Sequence, residues 1–139
     1  MAAHRDTAFR EQQMLELAKK AILDSGDFLS LDQTAQRLGL PPTTLDEWEA
    51  EGQIFSIQHA GCSLFPKYAF QDVAGHEPVP DLKVILDVLR TTKDEWGIAF
   101  WFASSNGFLG SHRPQEMLCS DADKVMLAAR DEVSGITHG

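Results

Sequence analysis

The side chains best equipped for chemistry are few and scattered. His59 and Cys62 stand at H-x-x-C spacing inside "SIQHAGCSLF". Imidazole and thiolate both ligate zinc, but a tetrahedral site needs four donors and no second pair lies nearby in sequence. The two cysteines, Cys62 and Cys119, are too far apart to suggest a disulfide framework, which predicts a reducing compartment. Tyr68 is the single tyrosine, and the carboxylates are spread without an evident nucleophile or base among them. No glycine-rich phosphate loop is present. The expectation is a protein that is not an enzyme and takes no metal or cofactor.

A second set is suited to recognition instead. In "SNGFLGSHRP", residues 105–114, an aromatic and an aliphatic side chain sit among glycines and precede a cation. Asn106 and Gly107 can adopt positive φ at low cost and turn the chain. Phe108 and Leu109 would then project as an apolar pair. An exposed aromatic beside a fixed arginine is the composition of an interface centre. The candidate partner-binding residues are therefore Asn106, Phe108, Leu109, His112 and Arg113. Four of them have competing uses: Asn106 could serve only the turn geometry, Leu109 could plug the core, His112 could be an exposed bystander, and Arg113 could form a salt bridge at a helix start.

Elements must hold that loop in place. A helix over 6–24 carries Met14, Leu17, Ala18, Ala21 and Ile22 at three- and four-residue spacing, which predicts core packing or a dimer arm. Ser30 and Gln33 are spaced as a capping box that opens a helix through Leu38. Gly39 suits a left-handed turn, and a second helix follows with Leu45 and Trp48 on its buried side. "IFSIQ" and "SLFPKYAF" read as two strands around His59–Cys62. Residues 71–81, with Pro78 and Pro80, read as a linker. Beyond it Leu82, Ile85, Leu86 and Leu89 form an apolar stripe. Asp94 can cap "EWGIAFWFAS", a helix apolar nearly all round and so expected at the centre of the fold. Pro114 suits the start of a short helix ending near Leu118. Asp121 caps a last helix with Val125, Leu127, Ala128 and Val133 inward, and "SGITHG" should fray.

Bulk properties narrow the function. The chain has 139 residues, 43% of them hydrophobic, enough for one modest core or two small units sharing one. Its formal net charge of −9 disfavours generic coating of nucleic acid. No stretch approaches 18 consecutive apolar residues and the first residues hold no apolar signal core, which predicts a cytoplasmic protein with no membrane partner.

The stretch from Phe28 to Phe70, with its alanine and leucine before Gly39, "TTLDEW" and "EGQI" leading into the strands, resembles the winged helix-turn-helix of MerR-type and excisionase-type DNA-binding domains. The resemblance implies Thr43, Thr44, Gln58, His59 and Lys67 as DNA-contacting candidates. The second helix departs from the pattern, presenting Asp46, Glu47, Glu49 and Glu51 and no basic residue. From Ser30 to Asp72 six acids face only two bases, Arg37 and Lys67. Phosphate contacts depend on cations, so a scaffold or protein-binding role is the stronger expectation for this unit.

The stretch from about Pro80 to Val133 resembles the toxin-binding domain of the Xre/MbcA/ParS antitoxin family. Trp101, Asn106, Leu109, Gly110, Arg113, Pro114 and Leu118 match that family's motif in order and spacing. Ser105 stands where proline is usual, and Ser111 where a second glycine is common. The resemblance implies a protein partner, a RES-domain toxin that consumes NAD, and repression of its own operon through the N-terminal unit. The alternatives are a DNA-binding regulator and an orphan adaptor that has kept the fold without a toxin. The expected fold is mainly α: a winged helix-turn-helix with a short two-stranded wing, then a small helical toxin-binding domain. The expected units are 1–28, 29–76 and 77–139, and the assembly a homodimer.

Overall fold

The computed structural model describes residues 2–70 and 77–138, and side chains over 7–70 and 77–135. The expected linker is therefore described only from Glu77 onward. A long helix, α1 (Ala2–Asp24), precedes a short strand, β1 (Phe28–Ser30). Two helices follow, α2 (Leu31–Leu38) and α3 (Pro42–Ala50), then the hairpin β2 (Ile57–His59) and β3 (Cys62–Pro66). The C-terminal half holds α4 (Leu82–Leu89), α5 (Glu95–Ala103), α6 (Pro114–Met117) and α7 (Ala122–His138). The fold is mainly helical with a small antiparallel β wing.

Capping chemistry sets the helix-turn-helix. The Gln33 amide donates to the Ser30 hydroxyl oxygen at 3.2 Å, and the Ser30 amide donates to Gln33 Oε1 at 3.1 Å. This reciprocal box satisfies two otherwise orphaned donors and starts α2 where the sequence indicates. Gly39 ends it at φ 68°, and the Leu40 amide donates back to Ala35 O at 3.0 Å. Such a left-handed cap suits glycine, which has no Cβ to clash.

The sheet has three strands where the sequence indicates two. β1 pairs antiparallel with β3, setting Leu29 against Phe65, and β3 pairs with β2, setting His59 against Cys62. β2 is shorter than "IFSIQ" suggests, because Ile54, Phe55 and Ser56 are buried outside any strand. β3 ends at Pro66, and a single turn over Lys67–Ala69 takes the place of the expected strand continuation.

One hydrophobic core runs through both halves. Leu45, Ile54, Phe55, Ile57 and Phe65 from the helix-turn-helix and wing join Leu82, Ile85, Leu86, Leu89, Ile98 and Phe102 from the C-terminal helices. The Arg90 guanidinium donates to Gly52 O at 3.3 Å and Ile54 O at 3.4 Å, tying the end of α4 to the loop after α3. The Trp96 indole donates to Gln58 O at 3.3 Å, tying α5 to the wing.

The apolar residues of α1 and α7 divide between core and surface. Met14 and Leu17 are 69% and 66% exposed, while Ile22 of the same helix is buried. Among the described residues, the buried position of α1 is Ile22 near its C-terminal end, and the apolar residues before Ala18 stay exposed. Leu127 is 51% exposed because Val125, Ala128 and Ala129 define the inward face of α7, and position 127 falls outside that stripe. α7 continues to His138, so residues 134–138 of the tail expected to fray are helical, and Gly139 lies outside the described residues.

An aromatic cluster welds the halves together. Phe102 stacks on Phe55 at 6.2 Å, meets Tyr68 at 5.2 Å and meets Trp101 edge-on at 5.1 Å. Phe28 closes the cluster edge-on against Tyr68. The Tyr68 hydroxyl is buried in this apolar setting with no hydrogen-bond partner. Burial first, and the negative charge of Asp27 second, push its pKa well above 10.0. The unfolded chain ionises Tyr68 near pH 10 while the folded chain keeps it neutral, so stability falls as pH rises above that point. Tyr68→Phe removes the orphaned hydroxyl and the titration together. A buried unsatisfied polar group costs about 1–3 kcal/mol. Tyr68→Phe is therefore expected to unfold at or above the wild-type temperature at pH 7, and to lose less stability between pH 9 and 11. Thermal melts across that pH range check this, and a variant as alkali-sensitive as wild type contradicts it.

Candidate functional site

The loop between α5 and α6 is built by its own backbone. Residues 106 and 112 form an antiparallel bridge in which the Asn106 amide donates to His112 O at 3.1 Å. Asn106 O accepts from the amides of Leu109 at 3.0 Å and Ser111 at 2.9 Å. The Asn106 side chain also accepts from the Phe108 amide at 2.9 Å. Asn106 is thus the hub of the loop, and its side-chain oxygen is spent on the turn.

The turn itself differs from the expectation. Asn106 has φ −124° and lies in extended backbone, and Gly107 begins a single tight helical turn over Gly107–Leu109. The left-handed residues are Gly110 at φ 65° and Ser111 at φ 72°. The expected projecting pair is also split. Leu109 is 2% exposed and plugs the core, so it is withdrawn from the partner-binding set, whereas Phe108 is 45% exposed. Tight-turn geometry sends consecutive side chains in different directions, and only one of the two can face solvent.

Arg113 extends the chain into α6, whose first residue, Pro114, is buried. Arg113 Nε donates to Glu116 Oε1 at 2.6 Å, the helix-start ion pair weighed above. This hydrogen bond, helped by the charge of Arg113 and of His112, holds the Glu116 carboxyl below its ordinary value. His112 Nδ1 lies 3.8 Å from the other Glu116 oxygen, and its ring is exposed. His112, Arg113 and Phe108 thus remain at the surface. α6 is tied to the far end of the molecule by Gln115 Nε2 donating to Asp27 Oδ2 at 3.1 Å.

Beside the loop lies a cleft of about 330 Å³ lined by Lys93, Gly97, Phe100, Trp101, Ser104, Ser105, Asn106 and Glu132. Lys93 and Glu132 pair at 3.4 Å, and the indole N–H of Trp101, itself 7% exposed, has no partner. Sequence reading did not single out Lys93, Phe100 or Glu132 as lining this cleft. They come from three separate segments and meet only through the packing of α5 near α7.

The DNA-contacting candidates lie on the helix-turn-helix and wing. Thr43 is exposed and Thr44 half-buried in the first turn of α3, Gln58 and His59 are exposed on β2, and Lys67 is half-buried after β3. Gln58 donates across the hairpin to the Ser63 hydroxyl at 2.8 Å. On α3, Asp46 and Glu47 are exposed, as is Glu51 at its C-terminal cap, whereas Glu49 turns inward and accepts a hydrogen bond from the buried Ser56 hydroxyl. His59 and Cys62 face each other across the hairpin. No group of three or more His, Cys, Asp or Glu side chains placed to hold a metal occurs among the described residues.

The described chain thus defines a helix-turn-helix and β wing fused through one core to a four-helix C-terminal half that presents a closed loop. Among solved structures it is similar to one titled "NMR structure of Rv2175c", with a TM-score of 0.64 and 20% identity over 76% of this chain and 80% of that one. At that identity the likeness shows the fold alone. No protein-family model and no curated protein matches the chain. No helix among the described residues is long and apolar enough to cross a membrane.

Ser111 gives a direct test of the loop geometry. A left-handed backbone costs an L-residue about 1–2 kcal/mol, offset partly by the extra freedom, about 0.5–1 kcal/mol, that glycine loses on folding. Ser111→Gly is therefore expected to stabilise by up to about 1 kcal/mol, and Ser111→Val to destabilise, because a branched Cβ resists positive φ. Urea unfolding of the pair checks the order, and a Val variant as stable as the Gly variant would rule out the left-handed turn.

Proposed function

We propose that the chain is an antitoxin-like recognition protein that masks a RES-domain, NAD-consuming toxin by occlusion, with the 106–113 loop as the contact. The observation that carries this reading is Phe108, 45% exposed at the tip of a loop closed by its own hydrogen bonds. A large aromatic held outward on a rigid loop loses little freedom when it docks, so more of its burial appears as affinity. Arg113 flanks it and reaches a partner carboxylate by exchanging its bond with Glu116. The net charge of −9 favours encounter with a basic substrate cleft. The order and spacing of Trp101, Asn106, Leu109, Gly110, Arg113, Pro114 and Leu118 support the same reading through their likeness to the toxin-binding motif.

The second reading is a DNA-binding regulator. It is favoured by the first turn of α3, where Thr43 and Thr44 stand with no acidic residue in that turn and with a hairpin following. The exposed Asp46, Glu47 and Glu51 farther along the helix oppose phosphate, which places this reading second.

Two expected outcomes separate them. Phe108→Ala with Arg113→Ala is expected to cost no more than about 1–2 kcal/mol of stability, since neither side chain is buried, and to abolish co-purification with a co-expressed RES-domain toxin. Circular dichroism of the variant checks folding, and undiminished capture by a folded variant overturns the first reading. Random duplex DNA is expected to bind poorly near physiological salt. Tight binding with a steep salt dependence in a gel-shift series moves the regulator reading to first place.

A further inference from the structure

α1 carries an apolar surface that the described residues leave uncovered. Over residues 7–17 no side chain is buried. Phe9, Met14 and Leu17 are 64%, 69% and 66% exposed, and Leu15 is 43% exposed. The helix is anchored farther along, where Ile22 enters the core and Lys19 Nζ lies 5.2 Å above the Trp96 ring. Residues 7–17 alone span about 16 Å at 1.5 Å per residue, and in proteins most helical stability comes from packing of an apolar face.

We propose that this face packs against the same face of a second copy of the chain, making α1 a two-fold self-association arm. Arg10, Met14, Leu17 and Ala21 are all exposed and follow the four-three-four spacing of a helix-pair seam, with Phe9 beside it. Charge selects the occupant. The whole chain carries −9, yet residues 7–24 hold three bases, Arg10, Lys19 and Lys20, against three acids, Glu11, Glu16 and Asp24. Two copies therefore meet on this helix without net repulsion, although their surfaces elsewhere repel each other. An isologous contact needs one self-compatible patch, which this stretch supplies. A helix lying on lipid carries an excess of basic residues on its polar face, and this segment has none.

Sedimentation equilibrium of the full chain tests the proposal, with expected convergence on twice the chain mass. Met14→Glu with Leu17→Glu is expected to weaken association by about 100-fold or more, since each lost apolar burial is worth about a factor of ten or more in affinity. Both positions are exposed, so circular dichroism should show a folded body. Met14→Gln with Leu17→Gln removes the apolar groups without adding charge, and is expected to shift the equilibrium in the same direction; it decides the matter if the Glu pair fails to fold. A wild-type chain that stays monomeric up to about 100 µM overturns the proposal. So does a Gln-pair dimer as tight as wild type, or α1-dependent binding to anionic phospholipid vesicles by a monomeric chain. The loop variant Phe108→Ala, Arg113→Ala is expected to keep the dimer, so failure of toxin capture and failure of self-association are read separately.

Discussion

The fold depends on covering α5, a helix with almost no polar face. Ile98, Ala99, Trp101 and Phe102 are buried, and Trp96 and Phe100 are half-buried around it. A helix of this kind cannot stand at a surface, because each large apolar side chain left in water forgoes about 1.5–3 kcal/mol of burial. Its neighbours are arranged accordingly. The wing approaches through Phe55 and Tyr68, α6 closes its C-terminal end, and α1 reaches it through Lys19 above Trp96. The helix-turn-helix and the C-terminal helices are for this reason not separable beads. Removing either half exposes the other's share of the Phe102 cluster.

That constraint explains why the 106–113 loop closes on itself through its own hydrogen bonds. It leaves α5 immediately after Ala103 and must return at once so that Leu109 and Leu118 can seal the end of the core. Asn106 organises the return by accepting two amides on its backbone oxygen and a third on its side chain. The loop's geometry is thus a by-product of core closure, and Phe108 is left outside because Leu109 takes the inward position. The recognition role proposed for the loop would thus need no separate device to hold Phe108 outward.

Much of this was legible locally and little of it non-locally. The caps at Ser30, Asp94 and Asp121 and the glycine stop at Gly39 are contests between a side chain or a backbone angle and its neighbours within four residues, and each is found where the sequence places it. β1 was not legible, because three residues carry no periodicity and their partner strand lies more than thirty positions away. Whether the apolar face of α1 meets the core or a partner is not legible for a related reason. Apolar spacing reports that a stripe exists, not that the body extends far enough to meet it. In the loop, glycine count pointed to Asn106-Gly107 as the left-handed turn, but the bridge between 106 and 112 moves that turn to Gly110 and Ser111.

The distribution of charge follows from the same packing. Glu49 is held by the buried Ser56 hydroxyl, and Arg90 spends its guanidinium on carbonyl oxygens of the 52–54 loop. Lys93 pairs with Glu132, Lys83 with Asp87, and Lys20 with Asp24. Asp46, Glu47 and Glu51 meanwhile stand exposed at α3 and its C-terminal end. These acids are what a phosphate backbone would meet along most of that helix. Arg113 is committed too, but to an exposed carboxylate, where water screens the ion pair and leaves it weak. A bond that weak can be exchanged for a partner's carboxylate at small cost, whereas the buried Ser56–Glu49 contact cannot. The loop cation is therefore more readily released to an incoming protein than the inward-facing acid of α3 is to anything else.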